Sequence, residues 1–455
     1  MTVRTASNTS RVTKTLVDAG VVDSLQAGDE FLDALVLQIV VGQDLTPEAQ
    51  TALLTAVNCG ARAFRGGVHV RLPADAMVNR SWSSGQTLSS AIADFGGLVV
   101  AEHQQNRPTI VIGRPTNHVI GDPILHARWT DWSGGVSDSP DWGAIDDYGS
   151  SLAAALAAAI GVSECFQHAI GDIEATRRSA GISLWAPGEL WTGDSAQGPR
   201  IRMLPASLWL LGLGHLGQAF GWILGCLPYP NGREVRIFLQ DFDRVQTSNL
   251  STSLLSRLDD VGSMKTRVCA RSLEGVGMAT RIIEKPFDGS TPPSDDEPKT
   301  ALCGFDNHAA RRSLTGAGFA RTVDVGLGQG VPGYLDVLLH TFPANRTPEE
   351  VYREGPSSKR VAPLPSALQR EVERQVREEG MTPGDAECGV LLINGASAAV
   401  PFVGAIAAAL AVAELLRPLH NGPRSTTLSV NLGTPEVVRW SASSGEPVDD
   451  VIYLP

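Results

Sequence analysis

The run Leu210-Leu211-Gly212-Leu213-Gly214-His215-Leu216-Gly217 constrains this chain more than any other segment. An apolar strand that ends in G-x-G-x-x-G turns sharply and enters a helix whose first N–H groups point outward. The glycines permit the turn and let backbone approach a phosphate, while the helix presents its positive end to the anion. This reading puts a strand at Leu208 to Leu211 and a helix at Gln218 to Leu227. Val235, Ile237 and Leu239 then form a second strand ending at Asp241, 24 residues beyond Gly217, where a carboxylate can accept hydrogen bonds from ribose hydroxyls. The expected fold is α/β with a nucleotide site. The glycine spacing does not choose the cofactor, because dehydrogenases, flavoproteins and adenylating enzymes share it.

The residues that separate these possibilities lie downstream. They are Asp241-Phe242-Asp243, Ser248-Asn249-Leu250, Val261-Gly262 with Lys265, and Asp306-Asn307 with Arg311. Together with the Gly-rich loop, this ordered series resembles the E1/ThiF superfamily, which adenylates the C-terminal carboxylate of ubiquitin-like proteins. The motifs run from about residue 206 to 315, and the likeness continues through the apolar segment Val400 to Leu416, so it covers roughly the second half of the chain. Several short motifs in one order are far more specific than any one of them.

Carried over residue by residue, the resemblance implies that Gly212, Gly214 and Gly217 cradle the phosphates of ATP and that Asp241 binds ribose. Asn249 is expected to help fix the nucleotide, Lys265 to sit at the phosphates and Asp306 to hold Mg²⁺. A cation at Lys265 would stabilise the charge that builds on the α-phosphate. One departure matters: the family continues N-L-x-R, whereas this chain has Asn249-Leu250-Ser251-Thr252. Arg257 is the expected substitute, on the condition that the segment is helical. The family also borrows an arginine from the partner half. Arg4 and Arg11 lie where its members carry it, in surroundings that do not match, which leaves the choice open.

With 455 residues the chain has room for two or three domains, and a hydrophobic share of 43% argues for real cores. A formal net charge of −12 argues against a nucleic-acid partner. Cys59, Cys165, Cys226, Cys269, Cys303 and Cys388 form no C-x-x-C pair, so no structural zinc is expected and disulfides are unsupported. Met1 to Lys14 is polar with no apolar signal core, which gives a cytoplasmic expectation. From Gly389 to Ala413 no residue is charged, long enough to span a bilayer. Asn394-Gly395, Pro401 and the alanine content favour a loop entering a core helix, Val403 to Leu416.

The first half lacks a Gly-rich loop, yet its features echo the second half. Strands are expected at Leu35 to Val41, Val68 to Leu72 and Thr109 to Gly113. Ile124 to Arg128 with Gly134 to Val136 parallels Thr322 to Gly326 with Gly333 to Leu335. The alanine-rich helix Leu152 to Phe166 parallels Ile406 to Leu416, each ending its half. Such a repeat fits E1 enzymes that join an inactive pseudo-adenylation domain to an active one. The expected architecture is therefore two Rossmann-like, ThiF-type halves. Residues 1–180 form the degenerate copy, 181–205 the Pro/Gly-rich linker, and 206–455 the active adenylation domain with a crossover or cysteine loop at about 343–396.

That insert carries a charged amphipathic stretch, Leu364 to Glu379, followed by Asp385-Ala386-Glu387-Cys388-Gly389-Val390. In E1/ThiF relatives the crossover loop carries a cysteine a few residues before a Gly-Val step, and Cys388 fits that place. An acyl adenylate is an activated carboxylate, and a thiolate near it can displace AMP to form a thioester. Cys226, Cys269 and Cys303 read as helix or strand core.

The resemblance thus implies an activating enzyme that uses ATP and Mg²⁺, takes a ubiquitin-like protein and passes it to an E2-like partner. Its compact layout resembles the E1-like proteins of bacterial ubiquitin-like conjugation operons of the Bil type, which act against phage. A sulfur-transfer adenylyltransferase of the thiamine or molybdopterin type, a nicotinamide-dependent dehydrogenase and a non-catalytic scaffold that binds a ubiquitin-like protein remain as alternatives.

Overall fold

The computed structural model describes residues 4–43, 45–79, 82–140, 149–230, 235–290, 292–328, 333–353, 365–395, 398–443 and 450–454. The first half contains β1 (Val36–Val41), β2 (Gly67–Arg71), β3 (Gly97–Val99), β4 (Thr109–Ile112), β5 (Ile124–Trp129), β6 (Ser133–Ser137) and β7 (Ala180–Ser183). They form one sheet in the order β3-β2-β1-β4-β5-β6-β7. The near-continuous apolar run of β1 is what a parallel strand covered on both faces requires.

The second half contains β8 (Met203–Pro205), β9 (Ser207–Leu211), β10 (Arg236–Gln240), β11 (Ala279–Ile283), β12 (Thr300–Cys303), β13 (Arg321–Leu327), β14 (Asp336–Phe342), β15 (Arg424–Asn431), β16 (Val438–Ser443) and β17 (Val451–Tyr453). Its main sheet runs β11-β10-β9-β12-β13-β14-β15-β16, while β8 pairs with β17. In both sheets the first five strands of the order are parallel and the remainder antiparallel. The repeat expected from the sequence is therefore present as one strand order used twice.

Four helices fill the space between the sheets: Pro47–Ala63 and Ser151–Ala169 from the first half, His215–Cys226 and Pro401–Leu419 from the second. Thr46 caps the first, with the Ala49 N–H donating to its Oγ1 at 3.2 Å and Pro47 opening the helix. Ser150 caps the second in the same way. Ser151–Ala169 and Pro401–Leu419 are long and apolar enough to cross a membrane, but 89% and 100% of their apolar windows are buried inside the protein. Helices apolar all round and buried all round are core helices. Phe166 meets Phe402 across the seam at 5.5 Å, and Trp82 of the first half stacks on Trp222 of the second at 5.0 Å. Trp222 Nε1 in turn donates to Thr55 Oγ1 at 3.1 Å. The two halves share one hydrophobic core.

Several expectations shift. The helix after the Gly-rich loop begins at His215, not Gln218, because Gly214 is already its N-cap. The expected linker 181–205 starts inside β7 and ends in β8, since the short run Ala180–Ser183 pairs with β6. Gly333 to Leu335, the expected counterpart of Gly134 to Val136, precede their strand, which starts at Asp336, whereas Gly134 to Val136 lie within β6. Among its described residues the expected cysteine loop is largely helical, with helices at Ser366–Glu378 and Pro383–Gly395; Leu364, the first residue of the amphipathic stretch, lies outside the described residues. Val390 and Ile393 of this hairpin pack with Ala367 and Leu368 against Val17 and Leu25 of the N-terminal helices Arg11–Asp18 and Leu25–Ala34.

Candidate nucleotide site

Parallel strands that end together bring the loops after them together. Leu211 at the end of β9 is in register with Gln240 of β10 and with Cys303 of β12. The Gly212 N–H donates to Gln240 O at 3.0 Å, and the Gly304 N–H donates to Leu211 O at 2.9 Å. The Gly-rich loop, the Asp241–Asp243 turn and the Gly304–Asn307 turn therefore share one sheet edge, the place where doubly wound folds bind ligands.

Two of the three glycines are required by space. Gly212 has φ +78°, in the left-handed region, and a Cβ at Gly217 would lie 2.0 Å from Gly212 O. Around Gly214 nothing lies within 4 Å of such a Cβ, and no side chain caps the helix that starts there. The helix His215–Cys226 thus starts without a side-chain cap beside open space at Gly214, an arrangement suited to an anion. The corresponding turn in the first half differs: a Cβ at Gly42, after β1, would lie 2.4 Å from Arg114 N. The backbone that follows β4 fills that mouth.

Asp241 is buried, its Oδ2 accepting the Leu213 N–H at 2.5 Å and its Oδ1 the Asp243 N–H at 2.7 Å. Burial raises its pKa, opposed by Lys265 and by those two N–H donors. Lys265, the first residue of the helix Lys265–Gly275, is itself buried and holds Asp243 Oδ2 at 2.8 Å. Asp306 is exposed, with Asn307 Nδ2 donating to its Oδ1 at 3.1 Å, while Asn307 Oδ1 caps the next short helix through the Ala310 N–H. Arg311 stands behind this turn: it donates to Phe305 O at 2.6 Å and pairs with buried Asp324 at 3.0 Å.

The first half reaches the neighbourhood of this edge through its N-terminal segment. The Ser248 N–H donates to Ser7 O at 2.8 Å, and the Arg11 N–H donates to Ser251 Oγ at 3.0 Å, so the N-terminal segment lies on the Ser248-Asn249-Leu250 motif. Burial lowers the pKa of Arg11, and the charge that offsets this is Asp306. Arg4, the other candidate, is paired with Asp29 at 2.7 Å. Of the two arginines left open by the sequence, Arg11 is the one on which the charge of Asp306 acts.

Other expected site residues stand elsewhere. The segment after Asn249 is not a continuous helix but two short 3₁₀ turns, Thr247–Ser251 and Leu258–Asp260. Arg257 therefore does not follow Asn249 around a helix. Its guanidinium lies 5.7 Å from the Phe95 ring, in a cleft of about 930 Å³ between the halves that Arg62 and Leu254 also line. None of Gly212, Gly214, Gly217, Asp241 and Lys265 lines that cleft. Asn249 uses its side-chain oxygen locally, accepting the Gln246 N–H at 2.9 Å. Cys388 is exposed, on the side of its helix opposite buried Ala386, Val390 and Ile393. Cys226, Cys269 and Cys303 are buried core residues, as their positions suggested.

Two useful residues had gone without a role. Asp243 partners Lys265, and its place two residues after Asp241 was a usable signal. Gln218 is fully buried; its Oε1 accepts the Leu255 N–H at 3.1 Å and pairs with Ser256 Oγ at 3.0 Å, tying the Gly-loop helix to the segment after the Ser-Asn-Leu motif. A buried glutamine in an apolar helix was its signal. Among the described residues no group of three or more His, Cys, Asp or Glu is placed to hold a metal ion.

A family model described as the BilD N-terminal domain matches residues 36–184, and one described as the BilD C-terminal domain matches residues 204–422. The chain is 37% identical over 443 residues, 96% of its own length and 94% of the relative's, to the bacterial E1-like protein BilD of Collimonas sp. (strain OK412). Among solved structures it is similar to Escherichia coli MccB with ATP, at 15% identity and TM-score 0.32, covering 54% of this chain and 64% of that one. It is also similar to the E. coli tRNA N6-threonylcarbamoyladenosine dehydratase TcdA, at 16% identity and TM-score 0.28, covering 46% of this chain and 82% of the other. The chain thus spans just under two thirds of MccB.

Proposed function

Since the chain belongs to the BilD family of bacterial E1-like proteins, we propose that it adenylates the C-terminal carboxylate of a ubiquitin-like protein with ATP and passes it, through a thioester on Cys388, to an E2-like partner. The observation that carries this reading is the shared sheet edge at which the Gly-rich loop, with a helix start that no side chain caps, meets the Asp241–Asp243 and Gly304–Asn307 turns, while the N-terminal segment of the first half is hydrogen-bonded to the Ser-Asn-Leu motif. An adenylating site has to gather cations and backbone N–H groups around three phosphates, and both kinds of group are here.

ATP fits the residues present. The space at Gly214 and the unclaimed N–H groups of the following helix suit phosphate, and Asp241 keeps lone pairs beyond the two N–H bonds it accepts. Mg²⁺ also fits, because that ion takes one or two carboxylates and completes its shell with phosphate oxygens and water. Asp306 would hold it, and when bound it would neutralise phosphate charge. This needs no larger cluster of protein ligands.

In the proposed reaction a carboxylate oxygen of the ubiquitin-like protein attacks the α-phosphorus. The bond to the bridging oxygen breaks and pyrophosphate leaves, giving an acyl adenylate. Negative charge grows on the α-phosphate oxygens and on the leaving group, where Lys265 and Arg11 would act electrostatically. The Cys388 thiolate then attacks the acyl carbon, the bond to the AMP oxygen breaks, and a thioester results. A second thiol on the E2-like partner displaces Cys388 in turn. Exposure of Cys388 supports its reaction with a macromolecular acceptor, while the other five cysteines are buried. Arg257 has no part in this scheme.

ATP–pyrophosphate exchange tests the first step. Label is expected to enter ATP only when a ubiquitin-like protein ending in glycine is present. A partner that binds without supporting exchange would leave a scaffold in place of an enzyme.

A further inference from the structure

The first half does more than bury the back of the second. Along its interface helix Pro47–Ala63, the polar residues Thr55, Asn58 and Arg62 follow at steps of three and four on one face, and each bonds to the other half. Thr55 accepts from Trp222, as described above. Asn58 Nδ2 donates to Leu254 O at 3.0 Å. Arg62 donates to three carbonyls: Leu250 O at 2.6 Å, Leu254 O at 3.2 Å and Ser256 O at 3.3 Å.

These acceptors all lie in one segment, Leu250 to Ser256, which starts in the 3₁₀ turn of the Ser-Asn-Leu motif and continues as irregular backbone. Such a segment has no ladder to satisfy its backbone, so its carbonyls need partners from elsewhere. Gln218 serves its Leu255 N–H and Ser256 hydroxyl from the Gly-loop helix. Arg62 and Asn58 serve its carbonyls from the first half. Thr252, which stands where the resemblance leads one to expect an arginine, is buried inside this braced segment.

We propose that Arg62 is a positioning residue for the nucleotide site: it holds the 250–256 segment of the second half so that the Ser-Asn-Leu motif, and the start of the Arg11–Asp18 helix that lies on it, are preorganised. This rests on the nucleotide-site reading above. A planar guanidinium with five donors is suited to gathering three carbonyls, which an ammonium cannot match. Burial, with Arg257 nearby, lowers the Arg62 pKa to about 10, so the group stays charged at neutral pH. In this arrangement the half without a Gly-rich loop acts on chemistry by setting the shape of a loop it does not contain.

The test compares Arg62→Ala and Arg62→Lys with the wild-type full-length chain, by calorimetric binding of Mg·ATP and by amide hydrogen exchange across residues 247–256. Arg62→Ala is expected to bind Mg·ATP about tenfold more weakly and to lose protection across 247–256, with protection in β9 and β10 unchanged. Arg62→Lys is expected to recover part of both. Unchanged affinity and protection in Arg62→Ala would overturn the proposal, as would equal loss of protection throughout the second half, which marks a general structural role. If the wild type does not bind Mg·ATP, the nucleotide reading fails and the preorganising role with it; hydrogen exchange would then show whether Arg62 still braces the segment.

Discussion

The Lys265 ammonium lies 2.8 Å from the Asp243 carboxylate, and the Asp243 N–H in turn donates to Asp241. One short chain of contacts thus links the residue proposed to meet ribose to the residue proposed to meet phosphate. Lys265→Ala should lower the rate of ATP–pyrophosphate exchange by about 10²-fold, the usual effect of losing one preorganised charge. Asp243→Asn keeps the shape but frees the lysine and should cost less, on the order of tenfold. Steady-state exchange kinetics on the two variants check the order of these effects.

Arg11 is the cation supplied from the other half. Arg11→Ala should reduce exchange by about 10²-fold. Arg4→Ala, which loses only a pair with Asp29, should keep exchange near the wild-type rate. Equal activity of the two variants would argue against Arg11 as the phosphate cation.

Gly217→Ala offers a steric test. Its Cβ would lie 2.0 Å from Gly212 O, so the loop has to shift. A cost of about 1–3 kcal/mol in stability is expected, together with loss of Mg·ATP binding. Gly214→Ala meets nothing within 4 Å and should fold normally. Thermal unfolding and calorimetry on both variants separate the two expectations.

The order of elements was legible because it depends on local signals. Gly212 to Gly217, Asp241 and the alanine-rich runs near Leu152 and Ile406 announce themselves within a few residues. What escaped was long-range or contextual. Arg11 meets its partner across 295 positions of chain, and nothing in the residues around it reveals the meeting. Arg257 was placed by assuming a helix, whereas the segment is held in 3₁₀ turns and irregular backbone by Gln218, Asn58 and Arg62. Ala180–Ser183 looked like the start of a linker because only pairing with β6 makes it a strand.

Stability should fall in mild acid. Burial lowers the His215 imidazole to about 4, against an ordinary value near 6.5, with a hydrogen bond to the Pro401 carbonyl opposing the shift. Burial lowers His103 and His340 to about 4 as well. Between these values the unfolded chain binds protons that the folded chain does not, so stability is retained above pH 6.5 and is lost as pH falls toward 4. The thermal midpoint should decline across that window, and His215→Gln should flatten the decline.

The most direct measurement is intact mass under non-reducing conditions, with the protein, Mg·ATP and a ubiquitin-like protein ending in glycine, for wild type and Cys388→Ala. The account predicts a thiol-labile covalent adduct on the wild type, with loss of the adduct but retention of ATP–pyrophosphate exchange in Cys388→Ala. A thiol-labile adduct that persists in Cys388→Ala, or a persulfide on Cys388 in place of the adduct, would contradict it.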